Sequence, residues 1–413
     1  MQLRLLQLFL LLCLPFSLLA QEINRRDSEK LADTEAQDQS SVKRPTDDAI
    51  DVNFLFSYYD QDGNHSAVTG GFGTERLRDY ASKIIINVPL DPLSRLTVST
   101  GLNYYTSAST DNINRNVSSA SSDDYRAQLS FAYARSTPDK KQTWGFMAGG
   151  SVETDYISVS IGGNWSKESR DGNREVGVTA QVFFDTWMII FPDELRQIGD
   201  ELVTNDKRQS YYLSLSYSQV LTKRLQAFFT TEVVFQRGLL STPFHRAFFS
   251  DTLIPRVEKL PDHRIKTPIG VRLNYFLADA IVFRLFYRYY FDSFGIHANT
   301  FSLEMPLKLN NYFSLYPFYR FHSQTQADYF EEFRGHSPDA TYYTSDFDLS
   351  GFHSRKIGFG LRYSPLYGIA RFKTPFSKKV TQFKSLDVRY ANYHREDGLG
   401  ATVISANLSF TIF

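Results

Sequence analysis

The chain has 413 residues with 45 basic and 45 acidic side chains, so no net charge steers it toward nucleic acid. Aromatic residues reach 15%, with 25 Tyr and 35 Phe, yet mean hydropathy is negative. A soluble fold hides so many rings only in a very large core, whereas a β-barrel sets them on its lipid face and in interfacial girdles around a polar lumen.

In chain order, Arg4 and the apolar run from Leu5 to Leu19, closing at Ala20, read as a signal peptide over residues 1–20. Leu18 stands where a small residue is usual, which places the cut only to within a few residues. The single cysteine, Cys13, lies inside this run, so the chain beyond it has no disulfide, cysteine nucleophile or cysteine-bound metal. Residues 21–48 are polar and charged without an apolar period, the composition of a flexible periplasmic segment. No later window holds about 18 consecutive apolar residues, which excludes crossing a membrane by helices.

From residue 49 to 413 one pattern dominates, an alternation of apolar and polar residues broken by turn residues. Leu96, Val98, Thr100, Leu102 and Tyr104 alternate with Thr97, Ser99, Gly101 and Asn103; Ile281, Phe283, Leu285, Tyr287 and Tyr289 oppose Arg284 and Arg288. Period two places the two sets on opposite faces of a strand. Strand centres fall near residues 54, 86, 100, 129, 147, 161, 180, 215, 230, 271, 286, 304, 317, 359, 389 and 406. The fold class is therefore all-β: a transmembrane, antiparallel, up-and-down barrel of about 16 strands with long outer loops. Short links (Asp91-Pro92-Leu93, Thr137-Pro138-Asp139, Leu221-Thr222-Lys223) alternate with long ones around 60–80, 106–122, 186–208, 237–264 and 324–353. Two links break that rule, a tight turn near Glu153 on the outer side and a long segment, 365–383, on the inner side. The last alternation runs Ile404, Ala406, Leu408, Phe410, Ile412 to a terminal Phe413, an aromatic end of the kind the barrel-assembly machinery reads, although Phe413 is out of phase with Phe410. The expected location is the outer membrane of a Gram-negative bacterium, with lipid and lipopolysaccharide around the barrel.

Several loop motifs are distinctive. They are Tyr58-Tyr59-Asp60-Gln61-Asp62-Gly63-Asn64 running on to Gly70-Gly71 and Gly73-Thr74-Glu75, then Tyr104 to Ser109, Ser118 to Asp123, Pro243-Phe244-His245-Arg246, Pro317-Phe318-Tyr319-Arg320 and Tyr342 to Ser350. Together they resemble domain-of-unknown-function family 3570, exported proteins of Gram-negative bacteria, over about Ile50 to Phe413, with small departures at Phe72 and Ala247. The resemblance implies an outer-membrane barrel and carries no established activity, so it transfers no catalytic residue. Members of that family are encoded beside a thioredoxin-like protein, a flavin transferase and a small lipoprotein, which implies a periplasmic redox or lipoprotein partner.

Three groups could carry chemistry. Asp60, Asp62 and Asn64 ahead of Gly70-Gly71 offer alternating oxygen ligands for a hard cation, or an Asx-rich turn; the EF-hand spacing is absent. Asp346 and Asp348, with Asp328, Glu331 and Glu332 nearby, offer paired carboxylates, read either as acid–base groups or as solvated partners of arginines. His245 beside Arg246, with His263, His297, His322, His336 and His353, shows no HxH or HExxH spacing. No P-loop, no GxSxG elbow and no cofactor motif occurs.

The lumen carries the strongest signal. With apolar residues toward lipid, Arg272, Arg284, Arg288, Arg320, Arg362, Arg389 and Lys356 point inward, because a charge on the lipid face costs about 2–4 kcal/mol at mid-membrane. Glu232, Glu304 and Asp387 point inward too. The arginines either form a basic strip for anionic solutes, by the bidentate grip guanidinium has on carboxylate or phosphate, or pair with these acids to brace the wall. The readings rank as a channel or outer gate for a small solute, its outer loops folding partly into the lumen, then a plugged scaffold for a periplasmic partner. An outer-membrane enzyme using the loop carboxylates comes last; the primary reading is not an enzyme.

Overall fold

The computed structural model describes residues 49–107, 123–189, 204–374 and 379–413. The expected signal peptide (1–20) and periplasmic segment (21–48) lie outside the described residues, as do the motif residues Ala108, Ser109 and Ser118 to Ser122. Alternation in the sequence becomes sixteen long strands: β1 (Ile50–Asp62), β2 (Leu77–Asp91), β3 (Ser94–Ser107), β4 (Asp123–Ser136), β5 (Gln142–Val152), β6 (Tyr156–Glu168), β7 (Arg174–Ile189), β8 (Thr204–Thr222), β9 (Leu225–Gly238), β10 (His263–Ala278), β11 (Ile281–Asp292), β12 (His297–Glu304), β13 (Phe313–Gln324), β14 (Phe352–Tyr363), β15 (Val380–Arg395) and β16 (Gly400–Ile412). Each expected strand centre falls inside one of them. Every strand pairs antiparallel with its sequence neighbours, and β1 closes on β16 in unbroken register from Ile50↔Ile412 to Asp62↔Gly400. The result is a closed up-and-down barrel with no free edge, the condition for satisfying every backbone group in hydrocarbon.

Turn chemistry sets the short inner links. Asp91 Oδ1 accepts from Leu93 N at 2.8 Å, and Asp139 Oδ1 from Lys141 N at 3.1 Å, so the Asp side chains close the turns that Pro92 and Pro138 bend. Pro306 has no N–H for the ladder; β12 breaks at Met305-Pro306 and resumes as the two-residue pairing Leu307–Lys308. The long inner segment after β14 folds back as Ala370–Lys373, which pairs with the start of β15.

The two faces differ as the pattern requires. Ile357 is 61% exposed, Phe359 51% and Ile161 48%; a continuous belt of such side chains belongs against lipid. Tyr58, Tyr80, Tyr104 and Tyr125 share one register rung at the outer end of β1–β4, with neighbouring ring centroids 5.1, 6.3 and 4.8 Å apart. Trp144 and Trp165 at 5.9 Å, and Phe313 and Tyr363 at 4.9 Å, mark the inner end. These are the two aromatic girdles of a transmembrane barrel.

Among the described residues, the largest buried apolar cluster is not in the wall. Phe294, Ile296, Ala327, Phe330 and Phe347 pack together at the outer mouth, with Leu240, Leu260, Tyr290, Tyr329 and Leu349 around them. Beside them lie Ala247, Phe249 and Tyr343. These residues come from the loop after β9 (239–262, here loop 5), the turn after β11 and the loop after β13 (325–351, loop 7). Each buried ring contributes about 2 kcal/mol, so this cap is a small globular core mounted on a barrel.

Candidate functional site

The loop after β1 (63–76, loop 1) joins the cap through two glycines. Gly70 and Gly71 have φ of 88° and 87°, and a Cβ on Gly70 would stand 2.6 Å from the Phe248 ring. A Cβ on Gly71 would stand 3.0 Å from Ser345 O. Only glycine allows both the left-handed backbone and the close approach. Arg246 is buried and donates to Val68 O and, at 3.3 Å, to Phe244 O, tying loop 5 to loop 1. The His65 ring stacks on Phe347 at 3.8 Å, joining loop 1 to loop 7. Rings of Phe72, Phe248 and Phe333, one per loop, meet at 4.6 to 6.1 Å.

The cap rests on lumen-facing side chains at the outer rim. Arg395 Nη1 meets Asp348 Oδ1 at 2.6 Å, Gln324 Nε2 donates to Asp348 O and Ser350 O, and Gln61 Nε2 donates to Glu75 Oε1 at 3.1 Å. Burial pushes the Glu75 carboxyl up to about 7; Arg395 opposes this, while Asp348, Asp346 and Asp397 reinforce it.

Asp60 and Asp62 do not face this cap. They alternate on the outward side of β1 and pair there with Arg78 at 3.4 Å and Arg76 at 3.1 Å, while Asn64 lies beside Gly398. Among the described residues, the ligand-capable atoms that converge are those of His245, Glu258 and Asp346, all within 4.8 Å of one another. His245 Nδ1 is 3.7 Å from Glu258 Oε1 and 3.7 Å from Asp346 Oδ2, beyond hydrogen-bond reach. Burial lowers the His245 imidazole, but Glu258, with Asp346 and Asp348, outweighs it and the net direction is upward. Burial raises the Asp346 carboxyl against the opposing pull of His245. Asp346 Oδ1 accepts from Asp348 N at 2.9 Å, capping the 3-10 turn Phe347–Leu349. Sequence reasoning missed Glu258: it stands 13 positions from His245, and only the short pairing of Arg246–Ala247 with Arg256–Val257 brings the two together. The other histidines are dispersed, His263 beside Asp262, His297 on Tyr289, His322 in the lumen, His336 against Phe249 and His353 on Phe321.

Below the cap, the strand register puts the charged lumen residues on one wall. Arg272, Phe286, Ser302, Arg320 and Lys356 share a rung; Arg284 faces Glu304, Arg288 shares a rung with Thr300 and His322, and Arg362 faces Asp387. Glu232 sits on β9, opposite Ser214, on the same side of the wall. Some of these cations are neutralised. Glu304 takes Arg284 Nη1 and Arg389 Nη1, each at 2.9 Å, and Asp387 takes Arg362 Nε at 3.8 Å. The Arg272 guanidinium lies 5.6 Å from the Phe286 ring centroid. Arg288, Arg320 and Lys356 make no ion pair among the described residues, and Arg288 Nε is shut from solvent without a hydrogen-bond partner. Arg320 and Lys356 stand directly opposite each other on adjacent strands, an arrangement of like charges that destabilises a sheet.

A family model described as "Protein of unknown function (DUF3570)" matches residues 30–396. No protein of curated function matches the sequence. Among solved structures, the siderophore receptor PirA from Acinetobacter baumannii is similar at 12% identity and a TM-score of 0.43, over 83% of this chain and 52% of that one. The outer membrane protein OpdK from Pseudomonas aeruginosa is similar at 6% identity and a TM-score of 0.41, over 88% and 98%. A bacterial polysaccharide outer membrane secretin is similar at 8% identity and a TM-score of 0.44, over 87% and 97%. This chain spans about half the length of PirA.

Proposed function

We propose that this chain, which belongs to the family described as protein of unknown function (DUF3570), is an outer-membrane channel or outer gate of a Gram-negative bacterium that passes a small anionic solute. The observation that carries this reading is the group Arg288, Arg320 and Lys356 on the lumen side of β11, β13 and β14, none of which makes an ion pair among the described residues. Like charges held together in a partly buried wall, with no ion-paired carboxylate and only Glu232 acting on Arg288, cost free energy, and an anion relieves that cost. Arg288 and Arg320 supply forked donors for carboxylate or phosphate, and Lys356 adds a point charge. The paired arginines, Arg284, Arg362 and Arg389, brace the wall beside them. Loops 1, 5 and 7 narrow the outer mouth, so the solute enters past a folded cap. In this reading the chain is not an enzyme: Asp346 and Asp348 hold loop 7 in place.

The test is reversal potential of the purified barrel in planar bilayers under a KCl gradient. Anion preference supports the reading; a cation-selective or silent barrel removes it.

The ordered cap favours a second reading, a plugged barrel that docks a periplasmic redox protein or lipoprotein. A stoichiometric partner that co-purifies with a non-conducting barrel would decide for it.

A further inference from the structure

We propose that His245, Glu258 and Asp346 form a site for one divalent transition-metal ion of the zinc class, bridging loops 5 and 7 of the cap. The donor set is one imidazole nitrogen and two carboxylates. A nitrogen donor disfavours calcium and magnesium, which take oxygen ligands, and suits zinc, cobalt or nickel.

Geometry supports the assignment. Around a tetrahedral ion with bonds of about 2.1 Å, neighbouring ligand atoms stand about 3.4 Å apart. His245 Nδ1 is 3.7 Å from each carboxylate oxygen, too far to hydrogen-bond and close to that spacing. The same Nδ1 is buried and has no hydrogen-bond partner, an orphaned lone pair or proton in a well-packed cap. A small closing movement of the two carboxylates, whose ligand atoms lie within 4.8 Å, completes three corners of the tetrahedron.

The ligands are also oriented from behind. Glu258 Oε2 accepts from Thr242 N at 2.6 Å, and Oε1 accepts from the Thr344 hydroxyl. Glu258 N donates to His245 O at 3.0 Å, which fixes the two ligands of loop 5 relative to each other. Asp346 is held through Oδ1 by Asp348 N, leaving Oδ2 turned to His245. Such supporting bonds preset ligand direction and tune affinity. With three protein ligands, the fourth corner is left to water. The ion would fasten loop 7 to loop 5, and through Arg246 to loop 1, so it would stiffen the whole cap.

The experiment uses the untagged full-length barrel in detergent, stripped with chelator and titrated with CoCl2 and ZnCl2. One Co²⁺ per chain with the visible absorption of a tetrahedral site is expected, displaced by Zn²⁺. H245Q and D346N should each weaken binding about 10- to 100-fold. Absence of saturable binding, or unchanged affinity in H245Q, overturns the proposal. Should H245Q fail to fold, judged by heat-modifiable mobility, zinc X-ray absorption on the unaltered protein decides. One imidazole among oxygen ligands supports the site, and a shell without imidazole sinks it.

Discussion

On the lumen side of β4 to β9 the buried residues include the small or neutral Gln128, Ser130, Ser151, Ser160, Gln181, Ser210, Ser218 and Gln226, and the charges there are paired, Arg126 with Glu153 and Arg208 with Asp185. On β10 to β15 the facing wall carries Arg272, Arg284, Arg288, Arg320, Lys356, Arg362 and Arg389. Outside, both halves wear the same apolar belt. Hydrocarbon imposes one rule on every outward residue, while the lumen leaves inward residues free to serve a purpose. Loop 7 rises from the charged wall, between β13 and β14, and loop 5 from its edge, between β9 and β10.

The largest expected effect comes from erasing the difference between the walls. Arg320→Glu with Lys356→Glu should turn anion preference into cation preference, changing the chloride-to-potassium permeability ratio by about tenfold or more. Reversal potentials measure this, and an unchanged ratio would place the solute path elsewhere. Next comes uncoupling the cap from the wall. Gly71→Ala forces a Cβ against Ser345 O at 3.0 Å in a left-handed backbone, a local strain of about 1–3 kcal/mol. Faster protease cleavage within residues 325–351 and higher conductance should follow, with the barrel's heat-modifiable mobility retained.

A third change extends the unpaired group into the braced one. Glu304→Gln releases Arg284 and Arg389, which should cost about 1–2 kcal/mol of stability. The same change should raise anion preference roughly twofold. Urea melts and reversal potentials on one preparation separate the two consequences. The smallest effect is on pH. Glu75 is raised from 4.5 to about 7, so the folded cap prefers the protonated acid. Its contribution is fully present below pH 4.5 and lost as pH rises through about 7. Loop protease cleavage should therefore be slower at pH 5.5 than at pH 8, by about two- to fivefold after allowing for solvent screening, and Glu75→Gln should flatten the difference.

Much of the barrel can be read along the chain. Leu96, Val98 and Leu102 announce an outward face without reference to any other strand, and Asp91-Pro92 announces a turn, since both are local consequences of period and of side-chain hydrogen bonding. The inward direction of the arginines follows from the same period. Their partners do not. Arg389 meets Glu304 across 85 residues, and no local pattern distinguishes it from Arg320, which meets no acid among the described residues. The loop motifs were visible as motifs, yet Asp60 and Asp62 serve outward ion pairs with Arg78 and Arg76, while His245 and Asp346 are joined by a Glu258 that has no motif at all.

By itself, then, the order of residues determined a sixteen-stranded closed sheet, its greasy outside and its polar inside, because each of these depends on alternation within one strand facing one solvent. Only the tertiary structure decided which cations stand neutralised, that three distant loops share a core, and that an imidazole and two carboxylates meet there. Those outcomes depend on register between neighbouring strands and on packing among segments far apart along the chain, and neither is encoded in any short stretch of chain.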